Sequence, residues 1–107
     1  MSTMNEAVLG KFVIVRANVA GVHAGRVIAA DLVNKSIQLE NARRLWRVYT
    51  RDKSGSISDV AANGLKPGGE HSIGAMLPTT TIVNDAGLEI SEMTDAAWES
   101  VKNYTGA

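Results

Sequence analysis

The sequence predicts an α+β fold: a mostly antiparallel β framework, a small barrel-like meander, with two short helices. Three observations carry that expectation. The first half holds β-branched runs punctuated by glycine and asparagine. The second half holds a threonine-rich run with high β propensity. Only two stretches combine helical apolar spacing with capping residues at their ends. At 107 residues, 45% apolar and 21% charged, the chain fits one domain, 1–107, with enough apolar material for a core.

The elements follow in order. Residues 12–19, Phe-Val-Ile-Val-Arg-Ala-Asn-Val, read as a strand. Ala20 to Gly25 reads as a glycine-punctuated turn or kink, and residues 26–33 as a second strand. Asn34-Lys35 suits a hairpin turn, since asparagine tolerates positive φ. Ser36 to Glu40 alternates polar and apolar, the period of a half-buried strand. Asn41 to Tyr49 continues with Ala42, Arg44, Trp46 and Val48 on one face and Arg43, Leu45, Arg47 and Tyr49 on the other. Residues 50–56 read as a polar loop. The first helix spans 56–64, with Ser56 or Ser58 as N-cap, Gly64 just past its end, and Ile57, Val60 and Ala61 buried. A Pro67-Gly68-Gly69 loop follows, then a strand over 71–76 interrupted by Leu77-Pro78. Thr79 to Val83 and Leu88 to Ile90 read as strands around an Asp85-Ala86-Gly87 turn. Thr94 or Asp95 caps the last helix, 95–103, with Ala97, Trp98 and Val101 inward and Glu99 and Lys102 outward. The tail from Tyr104 is expected to be loose.

Charge narrows the function. Eleven basic and eleven acidic residues cancel, but not evenly along the chain. Residues 11–53 hold nine basic residues against Asp31, Glu40 and Asp52, whereas residues 54–107 hold two against seven acidic ones. All six arginines lie in the first half. Two readings compete: the halves neutralise one another, or the arginines form a site for an anionic ligand. A net charge of zero disfavours nonspecific binding to long nucleic acid, which depends on releasing many counterions. A small phosphorylated ligand needs only two or three arginine forks.

Other chemistries lack their residues. Without cysteine there is no disulfide, thiol catalysis or thiolate metal site, which suits a reducing cytoplasm. His23 and His71 stand far apart with no carboxylate at ligand spacing, so no metal is expected. There is no Gly-x-Ser-x-Gly elbow, no phosphate-cradling Gly-rich lysine loop and no distinctive carboxylate pair. The expectation is a protein that is not an enzyme and carries no cofactor. The opening MSTMNEAVLGKF lacks the pattern of a secretory signal, and no run approaches the length of a membrane span.

The strongest local signal is Asn41-Ala-Arg-Arg-Leu-Trp-Arg-Val-Tyr49. Asn41, Arg43, Arg44, Trp46, Arg47 and Tyr49 place an amide, three guanidinium forks and two ring faces within nine residues. Base stacking on such rings contributes roughly 1–3 kcal/mol per base. The competing reading puts Trp46 in the core and the arginines in salt bridges.

Those residues also carry a resemblance. Val13-Ile-Val-Arg16, Ala20-Gly-Val-His23-x-Gly25 and Asn41-Ala-Arg-Arg-Leu-Trp46 resemble a family of small phage-encoded proteins, with a serine-rich helix like 56–65 following. That family is similar to anti-defence sponges of the Thoeris type, oligomers that enclose a cyclic ADP-ribose isomer or cyclic oligonucleotide immune signal without cleaving it. The resemblance implies ligand roles for Arg16, His23, Asn41, Arg43, Arg44 and Trp46, in the host cytoplasm. Arg47-Val48 departs from the aromatic pair usual there, which leaves Tyr49 as a substitute ring. The alternative is a phage structural protein, or one that docks on a host protein. A homo-oligomer, at least a dimer, is expected either way, because exposed β edges are commonly covered.

Overall fold

A computed structural model describes residues 3–50 and 57–105. Its elements, in chain order, are α1 (Thr3–Val8), β1 (Phe12–Ala17), β2 (Gly21–Asp31), β3 (Ser36–Arg47), α2 (Ile57–Asn63), β4 (Ser72–Ile73), β5 (Leu77–Ile82), β6 (Leu88–Glu92) and α3 (Asp95–Lys102). The architecture is α+β: one antiparallel sheet in the order β4-β3-β2-β1-β6, with β5 also pairing with β3. There are three short helices among the described residues rather than two, because α1 was not legible as a helix.

The sheet is strongly coiled. Strand β2 has eleven residues, so a straight course would hold the turns at its two ends roughly 35 Å apart. Yet Asp85 reaches both turns. Its amide donates to Lys35 O at the β2–β3 turn, and its carboxylate accepts from Val19 and Ala20 at the β1–β2 turn. The bending is done by two bulges. In the pairing of β2 with β3, one extra residue falls on β3 between Glu40 and Arg43, and one on β2 between Val27 and Ala29.

Alternation along these strands sorts side chains onto two faces. Val13, Val15, Ala17, Val27, Ile37, Leu39, Ala42 and Ile82 fill the concave side of the coil, with Val8 of α1 packed against them. Ile14, Ala24, Leu45 and Ile73 line the convex side, which α2 and α3 cover with Val60, Ala61, Ala97, Trp98 and Val101. The Phe12 and Trp98 rings stack at 4.7 Å between centroids. Thr94 caps α3, its hydroxyl accepting from Ala97 N–H.

Several local expectations change. The stretch 20–25 is not a turn: β2 begins at Gly21 and the true turn lies before it. Lys35, not Asn34, carries the positive φ of 51° at the hairpin. Ser58 lies inside α2 rather than capping it, while Ser56 and the loop 51–56 fall outside the described residues. The strand expected over 71–76 is reduced to β4. Pro78 does not interrupt β5, because only the partnered side of an edge strand needs its N–H groups. Tyr104 is tied down, its hydroxyl donating to His71 O at 2.9 Å.

Candidate ligand-binding surface

The bulge in β3 decides what each arginine does. Ile37 and Leu39 face the concave core, so uninterrupted alternation would send Arg43 the same way. Asn41 instead adopts φ 52°, and the extra residue reverses the parity. Ala42 and Arg44 then follow the concave face, and Arg43 and Leu45 the convex one.

Arg43, expected at the ligand, is drawn into the fold. Only 8% exposed, it donates through Nε to Gly74 O at 2.8 Å. Its Nη1 donates to Val101 O at 2.8 Å and Tyr104 O at 2.7 Å. It thus gathers carbonyls at the C-terminal end of α3, where the helix dipole also favours a cation. Its Nε and Nη1 are engaged within the fold, and little of the side chain is open to a ligand.

Arg44 is different. Its guanidinium lies 3.9 Å above the centroid of the Trp46 ring. Its Nε is buried with no hydrogen-bond partner. The group crosses Gly21, whose φ of 86° and missing Cβ leave the space: a Cβ there would collide with the guanidinium. Beneath it sits His23, the cross-strand partner of Arg44. The ring's Nε2 is 2.9 Å from Ala20 O. Burial lowers the His23 pKa, the Ala20 carbonyl opposes that, and the positive charge of Arg44 adds to the lowering. Burial and the neighbouring Arg44 cation both disfavour a charged His23 ring beside the guanidinium. Trp46 is 64% exposed despite its arginine lid, which excludes the reading that placed it in the core.

The remaining expected residues do not join this shelf. Asn41 is exposed at the bulge, where its backbone conformation is its contribution. Arg47 is exposed opposite Ser72 of β4. Tyr49 is half open to solvent, its N–H donating to His71 Nδ1 at 2.9 Å. Arg16 lies on the convex face, opposite Val22 and Glu89. There it lines a cleft of about 540 Å³ with Asn18, Val22, Leu88 and Glu89. Sequence reasoning did not single out that cleft, since only the register of β1 with β6 brings Arg16 and Glu89 together.

Of the ion pairs among the described residues, Lys11–Glu92 crosses the halves, whereas Arg26–Glu40 and Lys102–Glu99 do not. No cluster of three metal-ligating side chains occurs among the described residues. No helix among them is long and apolar enough to cross a membrane.

Fold and surface together define a small α+β protein with a coiled antiparallel sheet that presents an arginine–indole shelf at its rim. The chain belongs to the family described as Domain of unknown function (DUF6948), whose family model matches residues 10–101. No curated protein and no solved structure matches it.

Proposed function

We propose that this chain is a binding protein that sequesters a small cyclic nucleotide, of the cyclic ADP-ribose or cyclic oligonucleotide kind, without cleaving it, as a phage anti-defence protein in the host cytoplasm. The observation that carries the reading is the exposed Trp46 ring with the Arg44 guanidinium stacked on one face. The other face of the indole accepts a base, and the guanidinium beside it meets a phosphate. Packing on Trp46 and Gly21 holds the guanidinium in place before ligand arrives, which lowers the ordering cost of binding. Nothing in this mechanism moves a proton or breaks a bond, so the ligand is released unchanged.

Native mass spectrometry after incubation with a panel of cyclic nucleotides tests the reading. The expected result is a mass increment equal to one intact ligand. Trp46→Ala and Arg44→Ala should each weaken binding tenfold or more, the scale of one lost stacking or charge-assisted contact. Arg47→Ala should change it little. No increment with any nucleotide, or recovery of a cleaved product, overturns the proposal. A second reading, docking on a host or virion protein, draws on the same exposed indole, because tryptophan and arginine are the usual anchors of protein interfaces. Stoichiometric capture of a protein partner that Trp46→Ala abolishes, with no nucleotide bound, favours it.

A further inference from the structure

We propose that β5 is a homodimer interface, two copies pairing antiparallel through their outer β5 edges about a two-fold axis at Thr80. The inference is independent of the nucleotide reading. Strand β5 pairs with β3 on one side only, and its other side has no strand partner among the described residues. An open edge is a template for another strand unless something blunts it. The opposite edge of the sheet is blunted: β6 carries Glu89 and Glu92, which would face like charges in a copy of themselves. Strand β5 has no charged residue, and its one protective feature, Pro78, is second in the strand, so a dyad at Thr80 forgoes only the N–H that Pro78 lacks opposite Ile82 near each end of the ladder.

The sequence of this edge is also self-complementary. A dyad at Thr80 sets Thr79 opposite Thr81 of the second copy and Leu77 opposite its Val83. Those four residues share the outward parity, since Thr80 and Ile82 pair with Leu39 and Ile37 of the concave core. Leu77 is 51% exposed and Val83 66%, large apolar surfaces for which the single chain gives no reason. The dyad covers each with the other at both ends of the ladder and leaves threonine pairs, favourable cross-strand neighbours, between them. No charged side chain of β5 is buried, so no charge-desolvation cost from the strand opposes association. The occupant that matches this edge in length, charge and apolar ends is therefore the edge itself.

Light scattering on the eluting full chain tests the pairing. The wild type is expected at twice 11.4 kDa. Thr79→Lys with Thr81→Lys sets cations opposite one another across the dyad and should bring the mass to 11.4 kDa. Glu89→Lys, on the other edge, should leave the dimer intact. Hydrogen exchange supplies a second reading: amides of residues 79–83 should gain protection as wild-type concentration rises. A monomeric wild type overturns the proposal. So does a dimer that the double lysine variant leaves unchanged, or one whose concentration-dependent protection falls outside β5.

Discussion

Arg43 and Arg44 are adjacent, chemically identical, and given opposite work. Arg43 makes four carbonyl contacts with no carboxylate among them. Its fork spans the end of α3, the segment after it and Gly74, so one side chain ties the closing helix to the sheet. The charge is tolerated inside because each carbonyl oxygen faces a donor. Arg43→Met keeps the apolar stem but strands those acceptors. Hydrogen bonds to a charged group contribute about 1.5–3 kcal/mol, so the variant should lose about 2–4 kcal/mol of stability in urea unfolding. Nucleotide affinity of its folded fraction should stay within a few-fold of wild type, because Arg43 is only 8% exposed and its Nε and Nη1 already serve carbonyls of the fold. A large affinity loss in a stably folded Arg43→Met would return this residue to the binding surface. Arg44→Ala has the converse expectation, lost binding with little lost stability.

At the scale of elements, the bulge at Asn41 separates those two roles. A left-handed conformation is inexpensive for asparagine and glycine and costs a β-branched residue about 1–2 kcal/mol. Asn41→Gly should therefore be near neutral. Asn41→Val should lose stability by that amount and also weaken ligand binding, because straightening the bulge trades the faces of Arg43 and Arg44. Urea unfolding and calorimetry on the two variants check this, and equal binding by both would disconnect the bulge from the site. This is also where the sequence stops being readable. The β-branched runs announce β1, β2 and β3, and Thr94, Ala97, Trp98 and Val101 announce α3, because burial and capping are local patterns. A bulge is a relation between two strands. Alternation within 41–49 correctly put Arg44 with Trp46 and Arg43 with Leu45, but not which pair faced the helices. The glycines near His23 looked like a turn; Gly21 instead makes room for Arg44, a contact 23 positions away. Helix α1 lacked capping and periodicity signals strong enough to announce it.

The whole molecule is closed by Asp85. Its loop carries the chain from β5, at one end of the coiled sheet, to β6 at the other, and the same residue binds both turns of β2. Burial alone would raise the Asp85 pKa, but amide donors from Ala20, Gly87, Val19 and Asn18 outweigh it and hold the carboxyl below its ordinary value. The folded state thus binds fewer protons here than the unfolded chain. Stability from this group is complete above its ordinary pKa of about 4 and is lost as pH falls through the lowered value. His23 is lowered too, first by burial. Its contribution is complete above about pH 6.5 and declines as pH falls toward its native value. The acid profile of unfolding should therefore descend in two limbs, a shallow one below neutrality and a second below about pH 4. Asp85→Asn should lower stability at pH 7 and flatten the second limb while leaving the first. His23→Gln should flatten the first limb alone. Urea titrations of the three proteins across pH 2–8 check this, and a wild-type profile that Asp85→Asn merely shifts downward, both limbs intact, would show that the coil is closed by something other than this carboxylate.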